Sequence, residues 1–203
     1  MRTKAILLGS FIFVLQSCIP SLYPFYTKDL LTFSPALIGT WRVAETKQGE
    51  GITIASTEAT WHFTRKDDHT YTLEIRTPQS DGWFDAHLFK IGDQLFLDTY
   101  PKKSSVRQQS AYDCLEEVTS LHTLRTHHLW RIQLNDGHEI QLDMIDPDWF
   151  DKETIKQQSR GLYLTVNDTP VFTATSEQLV AWLQQHMSDP GMWGTMYELK
   201  REQ

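Results

Sequence analysis

From residue 38 onward, polar and apolar side chains alternate along most of the chain. Residues 70–77 show this most cleanly: Tyr71, Leu73 and Ile75 fall on one face and Thr72, Glu74 and Arg76 on the other, the period of two expected of a half-buried strand. Residues 58–65 repeat the pattern, with Trp61 and Phe63 opposite Thr60, His62 and Thr64. The same reading predicts strands at 38–45, 82–91, 94–100, 122–134, 138–145, 161–166 and 170–173. Turn residues punctuate them at Asp67-Asp68, Gly92-Asp93, Asn135-Asp136-Gly137 and Asn167-Asp168. Asp-Gly suits the positive φ values of a type I′ hairpin turn.

Two segments change to helical spacing. Residues 147–158 predict a helix, with Asp146 as its cap and Pro147 at the first position. Thr175 and Gln178 have the spacing of a capping box, and Leu179, Trp182, Leu183 and His186 follow on one stripe. Residues 176–187 therefore predict an amphipathic helix packed on the sheet. Residues 102–121 form a long polar connection in which Tyr112, Leu115 and Val118 are spaced for a short helix. About nine strands joined by tight turns favour an antiparallel meander that closes, because closure removes exposed edges. The expected fold is mainly β: a barrel or strongly curved sheet with one or two packed helices, a two-sheet sandwich being the alternative.

The N-terminus follows a different pattern. Met1-Arg2-Thr3-Lys4 precedes an apolar run from Ala5 to Leu15, and Gln16-Ser17-Cys18 ends it. A basic head, a short apolar stretch and small residues describe a secretory signal peptide. The run is shorter than the roughly 18–20 apolar residues that span a bilayer. Residues 1–17 are expected to be removed. Leu15-Gln16-Ser17-Cys18 resembles the lipobox of bacterial lipoproteins. The resemblance implies cleavage before Cys18 and acylation, including palmitate, of its thiol and new amino group. Each buried methylene contributes about 0.8 kcal/mol, so several chains make a stable anchor. Ile19, where enteric lipoproteins retained at the inner membrane tend to carry aspartate, implies the periplasmic face of an outer membrane in a two-membrane cell. Ordinary signal cleavage and release is the alternative. Residues 18–35, with Pro20, Pro24 and Pro35, predict a tether, leaving 36–203 as one domain.

Composition narrows the function classes. The chain has 19 Lys+Arg and 26 Asp+Glu, a net charge of −7, and losing Arg2 and Lys4 makes it more acidic still. An acidic domain without a basic patch argues against nucleic acid as a partner and against adhesion to anionic lipid. Membrane contact is then expected through the Cys18 anchor alone. Of the two cysteines, Cys114 is left without an internal partner and reads as a buried thiol. No CxxC, HExxH or GxSxG occurs, so no cofactor, metal site or catalytic set is expected.

Gly39-Thr40-Trp41 resembles the lipocalin-like signature. That resemblance implies a tryptophan plugging the closed end of a small barrel. The chain also resembles uncharacterised bacterial lipoproteins in which such a motif precedes segments similar to Ala86-His87-Leu88-Phe89-Lys90, Leu95-Phe96-Leu97-Asp98 and Asp146-Pro147-Asp148-Trp149. It implies no particular activity.

Alternation on residues 122–134 places Leu124, His128, Trp130, Ile132 and Leu134 on one core face. His128 is either a satisfied core histidine or a polar handle in a ligand cavity. His87 shares a face with Asp85 and Phe89, so Asp85 is its expected partner. Adjacent His127 and His128 point to opposite faces and form no metal site by themselves. Asp143, Asp146, Asp148 and Asp151 could supply oxygen ligands to Ca²⁺, but capping by Asp146 and a favourable helix-dipole position for Asp148 explain the cluster without a metal. Seven tryptophans are mostly core filling, since eight-stranded barrels leave little free interior. A candidate pocket for a small apolar ligand comprises Trp41, His87, His128 and Trp130. The expected role is structural or the binding of that ligand; the alternatives are a partner-binding subunit of an envelope assembly, or a hydrolase-like enzyme using His87 or His128.

Overall fold

A computed structural model of the chain describes residues 19–46, 58–78, 81–102 and 124–202. The expected signal segment, Cys18, Cys114 and the short helix around Leu115 lie outside them. Eight strands close an antiparallel barrel: β1 (Gly39–Thr46), β2 (Thr60–Arg65), β3 (Thr70–Arg76), β4 (Asp81–Ile91), β5 (Gln94–Pro101), β6 (His128–Asn135), β7 (Glu139–Ile145) and β10 (Trp193–Arg201). Each of β1 to β6 pairs with the next in sequence, and β10 inserts between β7 and β1. The hairpin β8 (Tyr163–Val166) and β9 (Thr169–Phe172) is a separate two-stranded sheet outside the barrel. Asp136 and Gly137, at φ 47° and 71°, make the β6–β7 turn that the Asp-Gly pair predicts.

The closing strand β10 lies outside the predicted set, and the predicted pair 161–166 and 170–173 does not join the meander. β10 carries a register shift between Thr195 and Tyr197 against β7. That irregularity changes which residues face inward, so no simple alternation runs through the strand. β6 starts at His128, later than expected, and Leu124 is 72% exposed instead of lying in the core.

Two apolar layers result. The barrel interior packs Trp41, Trp61, Phe63, Tyr71, Leu73, Leu88, Leu97, Trp130, Ile132 and Leu199, among others. The outer faces of β4 to β7 present Phe89, Ile91, Phe96, Leu129 and Ile145 to a second core. Helices α1 (Pro147–Phe150), α2 (Glu153–Gln158) and α3 (Ser176–His186) cover that core. Asp146 caps α1 through the Trp149 N–H at 3.0 Å, and Thr175 with Gln178 forms the capping box of α3. The single helix expected over 147–158 is two, broken where Lys152 is extended at ψ 133°. A continuous helix would turn Ile155 about 120° away from Trp149. With the break, Trp149, Phe150 and Ile155 all enter the outer core.

The predicted tether is also corrected from Ile19 onward. Ile19, Ser21 and Phe25 are buried, and Ser21 exchanges two backbone hydrogen bonds with His127 at 2.9 and 2.7 Å. The Leu22 N–H donates to the Phe172 carbonyl and the Phe172 N–H to the Pro20 carbonyl, both at 2.9 Å. Residues 19–37 form a strap that crosses the outside of the barrel and ends where Leu37 packs into its interior. The domain therefore begins well before residue 36.

Candidate functional site

The barrel's two ends differ in construction. At one end lie the tight β2–β3, β4–β5 and β6–β7 turns and the start of β1. There Trp41 is fully buried, and its indole N–H donates to the Leu37 carbonyl at 2.9 Å. The Arg201 guanidinium lies over the ring, 4.2 Å from its centroid. Arg201 also donates to the carbonyls of Ile38, Gly137 and Ala36. It thus joins the last strand, the β6–β7 turn and the approach to β1 around one aromatic plug. Gly39 sits beside it at φ +133°, where a Cβ would meet Arg201 Nη1 at 2.6 Å. This is the physical need for glycine two residues before the tryptophan.

Further along the interior, Trp61, Trp130 and Tyr197 form a ring cluster with centroids 5.5–5.9 Å apart. The Trp130 indole N–H donates to Thr99 Oγ1 at 3.1 Å. His128 pairs with Thr99 across β5 and β6 and so shares its inward face. The His128 ring is half-buried, with Nε2 3.4 Å from Thr126 Oγ1. His128 begins β6 at the end opposite the Trp41 plug.

His87 does not join this group. It lies on the outer face of β4, between Thr70 of β3 and Asp98 of β5. The four residues of the expected pocket therefore divide: Trp41 seals one end, Trp130 and His128 lie toward the other, and His87 is outside the wall. A strand's two faces are separated by its backbone, and His87 and Leu88 demonstrate it: Leu88 belongs to the interior and His87 does not.

The outer face holds a polar cluster that the alternation did not reveal. Asp98 is fully buried there. Its Oδ1 meets His127 Nδ1 at 2.7 Å, and its Oδ2 accepts the Phe25 N–H of the strap at 3.1 Å. Tyr100 stacks on His127 at 4.4 Å, and Tyr26 packs on His87 at 4.9 Å. Burial, reinforced by the charges of Asp98 and Asp85, holds the Tyr26 phenol far above its ordinary value. His87 Nε2 lies 3.3 Å from Thr70 Oγ1, while its buried Nδ1 has no hydrogen-bond partner among the described residues. Asp85, its expected partner, binds Lys66 and Lys102 at 3.0 and 3.2 Å. Partial burial pushes the Asp85 carboxyl up, but those two lysines outweigh it and leave the carboxyl below the usual carboxylate value. On this outer face the carboxylate that holds an imidazole is thus Asp98, with His127, and not Asp85 with His87.

The acidic cluster also disperses. Asp143 is buried on the outer face against Arg131 at 2.6 Å. Asp146 caps α1, and Asp151 pairs with Lys156 at 3.0 Å. Among the described residues, no three His, Cys, Asp or Glu side chains converge as metal ligands would.

Burial lowers the pKa of both His87 and His128, with the Asp98 charge opposing it in each. Their folded values lie below the unfolded value of about 6.5, so on acidification the unfolded chain takes up protons first. Their contribution is fully present above that value and is lost as pH falls below it. Stability measured by urea unfolding should therefore fall between about pH 7.5 and pH 5. The double variant His87→Phe, His128→Phe should show a flatter profile; an equally steep one would refute this assignment.

No protein-family model matches the chain, and neither curated proteins nor solved structures yield a match.

Proposed function

We propose that this chain is a lipid-anchored protein of the cell envelope whose barrel takes a small, largely apolar ligand at the end framed by Trp61, Trp130, Tyr197 and His128. The anchor is Cys18, within a sequence resembling a lipobox, and the resemblance favours the periplasmic face of an outer membrane. The observation that carries the ligand reading is the asymmetry of the interior. One end is sealed by Trp41 under Arg201, whereas the ring cluster lines the interior from Trp61, beside Trp41, onward, and the half-buried His128 lies at the other end. Apolar walls with a few polar groups to orient the guest are the usual chemistry of small-molecule sites. The buried Trp41 beneath its glycine also agrees with the lipocalin-like signature that Gly39-Thr40-Trp41 resembles.

A hydrolase built on His87 or His128 has less support. Among the described residues, the hydroxyls in contact with those rings are the secondary alcohols of Thr70 and Thr126, and the Asp98 carboxylate is engaged by His127.

The ligand reading is tested on protein extracted from membranes with detergent. Small molecules released from wild type and from Trp130→Leu are compared by mass spectrometry. An apolar species should accompany the wild type and be depleted from the variant. Identical extracts from both would remove the ligand reading.

A further inference from the structure

The strap and the β8–β9 hairpin together make a surface that neither the barrel nor the helices explain. Ser21 bridges Phe172 in parallel, so residues 20–22 run beside β9 as a third short strand. Ser21 and Phe172 are both fully buried and face the outer core. Their neighbours in sequence therefore face the opposite way. This places Pro20, Leu22 and Val171 on the outer side. Val171 is the cross-strand partner of Leu164, and Val166 shares that face two residues on. Leu164 is 62% and Val166 53% exposed, and Tyr23 at the strap's edge is half exposed.

Large apolar side chains grouped on a surface mark a contact site rather than random exposure. The charge pattern says what kind. In a chain of net charge −7, residues 19–27 carry no formal charge and residues 161–173 carry only Asp168. The position of the chain says where the contact surface lies. Cys18 precedes Pro20 by two residues, so the covalent backbone keeps their Cα atoms within about 7 Å. Pro20 is itself hydrogen-bonded to β9. A lipid on Cys18 has no slack tether through which to hold the domain away from the bilayer.

We propose that the outer face of the strap–β9–β8 sheet, with Leu164 and Val166 foremost, rests on the bilayer that receives the Cys18 lipid. This inference rests on the reading of Cys18 as the lipid-bearing residue. It replaces contact through the anchor alone with a fixed orientation, in which the apolar face enters the headgroup region.

The test uses the full-length protein isolated from cells fed a tagged fatty acid and reconstituted into phosphatidylcholine vesicles. Leu164→Trp places an indole on the proposed face, at an exposed strand position where tryptophan is well tolerated. Val166→Trp serves as a second reporter if the first does not fold. In vesicles whose acyl chains are brominated, the emission added by the new indole should be largely lost relative to unbrominated vesicles. The emission of wild type should change little, and acrylamide should quench the new indole weakly. Fatty-acid label without bromine quenching overturns the surface proposal and leaves the anchor standing, whether acrylamide finds the indole in water or a protein partner shields it. Absence of label from the wild type overturns both.

Discussion

Trp41→Ala should destabilise the barrel by about 3–5 kcal/mol, the range for truncating a fully buried tryptophan. The loss has several sources. The side chain is completely buried, its N–H is bonded to Leu37, and its ring supports Arg201. Without the ring, Arg201 keeps its carbonyl partners but loses the aromatic face that holds its guanidinium in one orientation. The contacts joining β10, the β6–β7 turn and the start of β1 would loosen together. Trp41→Phe keeps most of the volume and loses the indole hydrogen bond, so it should cost closer to the 1 kcal/mol typical of a single bond plus a small cavity term. Equilibrium urea unfolding followed by circular dichroism separates the two variants. A Trp41→Ala protein within about 1 kcal/mol of wild type would refute the plug, since that is the scale of an ordinary substitution.

Asp98→Ala should release the strap. The carboxylate is fully buried and accepts from the backbone of Phe25 while bonding His127 Nδ1. Its removal leaves two largely buried donors without partners, each costing about 1–3 kcal/mol. The effect should concentrate where the strap crosses β5 and β6. Limited proteolysis should therefore cut residues 19–37 faster than in wild type, while the barrel core remains resistant. Asp98→Asn retains an acceptor and should be cut at an intermediate rate. Equal cleavage of all three proteins would show that Asp98 does not hold the strap.

These two sites differ in how far the sequence reveals them. Gly39-Thr40-Trp41 is a local pattern, and the expected plugging tryptophan can be named from it. Its partner cannot, because Arg201 is 160 positions away and lies in a strand whose alternation is interrupted by a register shift. Asp98 is harder still. On β5 it shares the outward face with Phe96, and a carboxylate on an outward face ordinarily reads as solvent-exposed. Its burial depends on a strap from residues 19–37, which the prolines make look like a tether. Likewise, His87 and His128 both sit on well-formed strands, yet strand alternation alone does not say that they lie on opposite sides of one wall.

The sequence by itself determined the short-range features. Alternation located seven of the eight barrel strands, the Asp-Gly turn joined β6 to β7, and the Asp146 and Thr175–Gln178 caps started their helices. Each is encoded by residues within a few positions of one another, where side-chain period, φ preference and capping act directly. Tertiary structure decided which strand closes the barrel, which face of β4 carries His87, what covers Asp98, and that residues 19–22 belong to the domain. The longest-range of those outcomes depend on contacts across 73 to 163 residues, such as Phe25 with Asp98 and Ile38 with Arg201. At such separations nothing local links the partners. Only closure of the barrel and burial of its outer apolar face bring them together, and that is where an apparently exposed carboxylate becomes the latch of the strap.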